Sequence, residues 1–373
     1  MHCDFGTTLR AALGGAALGL AITTTAQADI TTTVSGFGTV GGTFSGDGNY
    51  TYHHDASEFT GASNQFDVGL ESRLGLQAKF DFGSGLSVTA QEVVRQRGDR
   101  QFDPGMEWLY AQYSPEPDLQ IRLGRIVLGA FMFSDTRQVG YAVPWFRAPS
   151  EVYGQLPFDY LDGGQVQWQK SLGRFIINLE ASYGSTQGTF ETGTLTIVSH
   201  SKDMLNTMVS VEYGSLLLRV ARTSLNVPTD LPLTATFSVD YQLHENFTNI
   251  GVQYDDGRAL VLGEWAKTAQ NQAPVLNEPL TASSQWYLAG GWHFGKFLPM
   301  LIYGNVKEDQ SLLATPRSFG TWSANLRYDV TTGIALKAEI SRPQAANGQY
   351  WITPDLNSTA RVNVYSVGAD FVF

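Results

Sequence analysis

FDVGLESRLGLQAKF, residues 66–80, is the stretch on which the fold turns. Phe66, Val68, Leu70, Leu74, Leu76, Ala78 and Phe80 fall on one side of an extended chain; Asp67, Glu71, Arg73, Gln77 and Lys79 fall on the other. Successive side chains of a strand point to opposite faces, so this spacing predicts a strand with one apolar and one polar face. Val166 and Trp168 against Gln165, Gln167 and Gln169 repeat the pattern, as do Ile177, Leu179 and Ala181 against Asn178, Glu180 and Ser182. Leu205, Val209 and Val211 against Asn206, Ser210 and Glu212 repeat it again. A soluble β-sandwich alternates too, so alternation leaves two all-β architectures open.

Connections separate them. Tight turns at Gly83-Ser84-Gly85, Pro115-Glu116-Pro117-Asp118, Leu172-Gly173, Gly214-Ser215, Asp255-Asp256-Gly257, Gly295-Lys296 and Thr331-Thr332-Gly333 take turns with longer polar connections. Residues between them predict about sixteen strands, near 31–44, 64–80, 86–97, 106–114, 119–125, 161–170, 174–183, 203–213, 216–223, 249–254, 258–267, 284–294, 297–306, 317–329, 334–342 and 361–373. Residues 224–248 leave room for one more hairpin, since FSVDYQL reads as a strand of its own, which would make eighteen. Short turns on one rim, long loops on the other and an even strand count describe a transmembrane antiparallel β-barrel.

Composition agrees. The 373 residues include 39 Gly, 16 Tyr, 21 Phe and 8 Trp with a net charge of −11, which suits a barrel apolar outside, wet inside and ringed by aromatics. Trp108, Tyr110, Tyr113, Tyr183, Tyr213, Trp265, Trp286, Trp292, Trp322 and Tyr328 are the candidates for those rings. The acidic balance excludes a nucleic-acid partner, whose phosphates it would repel. The first 28 residues, with the apolar run AALGGAALGLAI and TTTAQA ahead of Asp29, have the layout of a secretory leader cleaved after Ala28. That run of 12 residues is too short to cross a membrane as a helix. Cys3, the only cysteine, would leave with the leader, and residues 29–373 would form one barrel domain.

The chain ends RVNVYSVGADFVF, with Tyr365, Val367, Ala369, Phe371 and Phe373 on one face. A last strand ending in phenylalanine resembles the signal by which outer-membrane barrel precursors are recognised. With these features the mature chain resembles the Gram-negative outer-membrane porins, sixteen-stranded and usually trimeric. The likeness is most specific in LQIRLGRIVLGAFMFSDTRQVGYAVPWFRAPSEVYG, residues 119–154, which resembles the strand and long third loop that folds back into such barrels. Loop 3 would run from about Ile126 to Tyr160, carrying Phe131, Phe133, Tyr141, Pro144, Trp145, Phe146, Pro149 and Tyr153, too apolar for a solvated surface loop.

The resemblance implies a pore constriction in which loop carboxylates face wall arginines. Asp135, Glu151 and Asp159 are the acids available here, and Arg73, Arg95, Arg97 and Arg122 fall on the polar face of their strands, with Arg125 where a strand enters the loop. Arg137 and Arg147 among the loop acids depart from a plainly acidic loop. It further implies a passive, water-filled channel for ions and small hydrophilic solutes, surrounded by outer-membrane lipid and assembled as a homotrimer. Two alternatives stay open: a solute-selective porin with an anion or sugar site at the constriction, and a plugged structural or adhesive barrel. Gly36, Gly38 and Gly42 share one face of the first strand and would let a neighbouring barrel approach. No HExxH, phosphate-binding glycine loop or EF-hand spacing occurs, so neither an enzyme nor a cofactor or metal is expected.

Overall fold

The computed structural model describes residues 30–48, 51–53, 61–97, 101–156, 158–192, 195–234, 237–272, 281–310, 318–346, 352–353 and 362–373. The expected leader, 1–28, lies outside the described residues. Sixteen strands close into one antiparallel barrel. They are β1 (Thr31–Ser45), β3 (Arg73–Gly83), β4 (Leu86–Arg97), β5 (Gln101–Glu116), β6 (Leu119–Val127), β7 (Tyr160–Leu172), β8 (Phe175–Thr192) and β9 (Leu195–Tyr213), followed by β10 (Leu216–Thr234), β11 (Phe237–Asp255), β12 (Ala259–Gln272), β13 (Thr281–Trp292), β14 (Phe297–Gln310), β15 (Ser318–Thr331), β16 (Ile334–Ala346) and β18 (Val364–Val372). Two short strands, β2 (Thr51–Tyr52) and β17 (Ile352–Thr353), pair only with each other.

Closure is made by β1 and β18, in register from Phe37 opposite Val372 to Ser45 opposite Val364. Beyond that ladder Gly36 and Phe373 exchange two backbone hydrogen bonds of 2.9 Å. With every strand paired on both sides the sheet has no edge, as hydrocarbon requires where no water can satisfy open backbone groups. The apolar rows lie exposed, Val34 at 67% and Leu123 at 64% among them, while the opposite rows carry the charges. The two-residue turns follow the sequence closely, and Gly173 and Gly214 take φ of 64° and 61°, the left-handed conformation that glycine adopts without a steric penalty.

Two expectations are revised, and the open choice between sixteen and eighteen strands is closed in favour of the expected sixteen. Residues 66–72 are not strand: the Asp67 carboxylate accepts the Gly69 and Leu70 N–H groups at 2.8 and 3.2 Å, a local turn that competes with ladder pairing, so the strand begins at Arg73. Residues 224–248 form no extra barrel hairpin; they lengthen β10 and β11, paired from Leu216 opposite Tyr254 to Thr234 opposite Phe237. The glycines of β1 are covered from within the chain, since a Cβ on Gly36, Gly38 or Gly42 would stand 2.2–2.4 Å from the rings of Phe373, Phe371 and Phe66. They seat aromatic rings at the seam.

The belt aromatics divide. Trp265 stands opposite Trp286, Trp286 meets Tyr303 at 5.5 Å and Tyr303 meets Trp322 at 4.6 Å, giving a continuous exposed band over β12–β15. Tyr110 is not part of any such band, because it turns to the polar side, where the Arg122 guanidinium lies 5.3 Å from its ring.

Candidate functional site

Between β6 and β7 the chain runs through a 3-10 turn at Gly140–Ala142 and one turn of helix, α1 (Ser150–Tyr153). A segment with so little regular structure must find outside partners for its N–H and C=O groups if it is buried. The wall supplies them. Lys337 Nζ donates to the carbonyls of Gly140, Val143 and Trp145 at 2.6, 2.8 and 2.8 Å and pairs with Asp370 at 2.9 Å. Arg327 donates to the carbonyls of Tyr141 and Val143, both at 2.9 Å, and Arg219 to that of Gly129 at 2.6 Å.

Arg147 is the most heavily bonded of the segment's side chains and is 8% exposed. Its guanidinium meets Glu71 through both Nε, at 3.0 Å, and Nη2. It also reaches Glu339 at 3.4 Å, the Tyr52 hydroxyl at 3.1 Å, Thr43 at 3.0 Å and Ser366 at 3.1 Å. Glu71 precedes β3 and Glu339 sits on β16, with β1 and β18 between them in the barrel order. Arg147 therefore ties the segment to groups on both sides of the closure seam. Burial alone would lower the Arg147 guanidinium, but Glu71, Tyr52 and Glu339 hold it well above its ordinary range.

The far side of the segment is apolar. Phe131, Trp145, Val152, Tyr153 and Leu156 join Leu260 and Leu262 of β12, Tyr287 of β13 and Met300 and Ile302 of β14 in one buried cluster. Trp145 stacks edge-on to Tyr287 at 5.7 Å and Phe131 lies 4.8 Å from Tyr153. One carboxylate serves this cluster: Glu264 accepts the Met132 N–H at 2.9 Å, the Tyr287 hydroxyl at 2.9 Å and the Tyr153 hydroxyl.

The expected site residues separate into distinct settings. Arg95 and Arg137 share Asp159, at 3.1 and 2.6 Å, and with Arg73 they line one cavity of about 50 Å3 bounded also by Glu71, Gln138, Trp145 and Arg147. Arg122 lies elsewhere on the wall, donating to Gln112, Gln165 and Gln120 at 2.9, 3.0 and 3.1 Å. Arg125 continues the outward row of Leu123 and makes a two-pronged pair with Asp162, both bonds at 2.8 Å, with the Tyr160 ring 3.8 Å from its guanidinium. Asp135 is exposed at the segment's surface, beside Glu107 and Trp108 in a second small cavity. Glu151 is 2% exposed within α1, packed on Gly304 of β14, and burial pushes its carboxyl up to about 7. The Arg97 side chain lies outside the described residues.

Sequence reasoning left out Arg147, Glu71, Glu264 and Lys337 as partners. Alternation already puts Lys337 and Glu339 on one face, opposite Leu336, Ala338 and Ile340; what a sequence does not carry is which loop atom they meet. Among the described residues no group of three His, Cys, Asp or Glu side chains could hold a metal ion.

Sixteen strands, a lipid-ready outer face and a charged inner one define the outer-membrane porin fold. Solved structures carry the same architecture at low identity. The chain is similar to OmpT, an outer membrane protein of Vibrio cholerae in its trimer form, at 14% identity and a TM-score of 0.61 over 92% of this chain and 99% of that one. It is similar to an anion-selective porin from Comamonas acidovorans at 13% identity and a TM-score of 0.63, over 92% of this chain and 100% of that one. The outer membrane channel DcaP of Acinetobacter baumannii matches at 14% identity and 0.61, over 93% and 99%. No family model and no curated protein matches the chain.

Proposed function

We propose that the chain, exported with residues 1–28 removed, is a Gram-negative outer-membrane porin: a passive channel for ions and small hydrophilic solutes, narrowed by the segment between β6 and β7 and assembled as a homotrimer. The observation that carries this reading is the meeting of loop and wall on the charged side of a closed barrel, where Arg95 and Arg137 share Asp159. Fixed charges across a narrow passage orient polar solutes and are screened less than charges at an open surface. The likeness to solved outer-membrane channels and porins supports it, and one of those neighbours is described in a trimer form. No cofactor or catalytic step enters the reading.

A specific observation favours a second reading, a plugged structural barrel: from Val143 to Leu156 only Pro144, Ala148 and Gln155 are not buried. Purified protein in a planar lipid bilayer separates the two. Discrete current steps in potassium chloride are expected of the channel; folded, inserted protein that stays electrically silent would leave the plugged barrel.

A further inference from the structure

We infer that the cavity between Arg73, Arg95 and Arg137 is a binding site for a compact oxyanion that carries a hydroxyl, with monohydrogen phosphate the fitting probe. This rests on the channel reading only for its physiological use; binding itself does not need a current. Three guanidiniums border the cavity from three parts of the chain, β3, β4 and the segment before β7. Arg95 and Arg137 divide one carboxylate between them. Arg147 is engaged by Glu71 and Glu339, and of the charged side chains that line the cavity itself four are arginines, Arg73, Arg95, Arg137 and Arg147, and one is an acid, Glu71. The lining is therefore cation-rich in a chain whose net charge is −11.

Arg73 is the group with most left to give. Among the described residues its one hydrogen bond is a 3.5 Å contact from Nε to the Thr39 hydroxyl, at the limit of a useful geometry. Its fork is matched to oxyanions, on which guanidinium groups make paired, charge-assisted bonds. A second observation points to the ligand from the other side. Gln138 uses its amide nitrogen on Asp159 at 3.5 Å, while its buried side-chain oxygen accepts no hydrogen bond, a costly state for a buried acceptor. An oxyanion bearing O–H would bond the arginines through its unprotonated oxygens and donate its proton to Gln138. Size suits a small ligand: a water needs roughly 10–15 Å3 of such space, so about 50 Å3 matches an anion of a few heavy atoms.

The test is calorimetric titration of the detergent-folded full chain with inorganic phosphate at low salt, beside bilayer recordings of the same preparation. Saturable phosphate binding is expected, with sulfate, which has no O–H at neutral pH, at least fivefold weaker. Arg73→Gln combined with Arg137→Gln should weaken phosphate binding at least tenfold, whereas Lys296→Gln, in the β13–β14 turn, should leave it unchanged. Arg73→Lys keeps the charge and loses the fork; it should weaken binding about threefold and carries the test if the double variant does not fold. Folded protein that binds no phosphate, or binds it equally with Arg73 and Arg137 replaced, overturns the site whatever the bilayer shows. Equal binding of sulfate overturns the role of Gln138. A silent bilayer with intact phosphate binding would overturn the channel reading and leave the site standing.

Discussion

Arg147 and Arg73 border the same cavity and could hardly be used more differently. Arg147 is locked by Glu71, Glu339, Tyr52, Thr43 and Ser366, groups drawn from both sides of the closure seam, so it fastens the segment to the strands that close the barrel. Arg73 makes a single long bond to Thr39. A cation saturated by protein groups contributes to architecture, and one left short of partners is open to solutes. The difference is in the wiring, because both are arginines that border the same cavity beside Glu71.

The first way to break this comparison is to remove each cation. Arg147→Met leaves Glu71 and Glu339 buried together without their counter-charge, and losing one partner of a buried pair costs about 3–5 kcal/mol. Arg73→Met should cost less than about 1 kcal/mol, within the range of substitutions that break no buried partnership. Denaturant unfolding of the detergent-folded barrel, followed by tryptophan fluorescence, measures both; equal losses would erase the distinction. Adding Glu71→Gln and Glu339→Gln to Arg147→Met should restore most of the stability, since the stranded charges are then gone.

Next in size is Lys337→Met, which takes the donor from three loop carbonyls and the partner from Asp370. About 2–4 kcal/mol is expected from the orphaned groups, with faster proteolysis between Gly140 and Trp145. Unchanged stability would mean that the carbonyls find other donors.

A pH titration sharpens the comparison on the apolar side. Glu151, raised to about 7 by burial, binds its proton more tightly folded than unfolded. Both states are protonated below about pH 4.5, so no cost appears there; stability should fall as pH rises from about 4.5 through 7 and then level, by up to about 3 kcal/mol. Glu151→Gln should flatten that part of the profile. A wild-type profile already flat over this range would contradict the burial argument.

The smallest effect concerns charge alone. Asp159→Asn frees Arg95 and Arg137 from their shared carboxylate, so the zero-current potential under a salt gradient should move by several millivolts toward chloride preference, while stability changes by less than about 1 kcal/mol. An unchanged potential would place Asp159 away from the ion path.

Much of the barrel was legible in the sequence because a two-sided sheet writes its environment into every second residue. The turns were the clearest part, as Gly173 and Gly214 show. Legibility failed where tertiary contacts override the alternation. On β12–β14 both rows are apolar, Leu260 and Leu262 against the exposed Val261 and Trp265, because the second row is buried in one cluster with Trp145 and Tyr153. Of the arginines and acids singled out in the sequence, Arg73 and Arg95 line one cavity with Asp159 bonded to Arg95, whereas Arg125 follows the outward row and Glu151 is buried against Gly304 of β14. Pairings such as Arg147 with Glu339, 192 residues apart, depend on where an irregular segment lies, and no periodicity records that.

The central claim is that this barrel conducts through the charged gap between segment and wall. Single-channel recording from the purified full chain in a planar bilayer tests it most directly. The account expects discrete, ohmic steps in potassium chloride whose zero-current potential shifts toward potassium when Arg95 is replaced by Glu. Correctly folded barrels that insert and give no steps, or steps indifferent to that replacement, would contradict it.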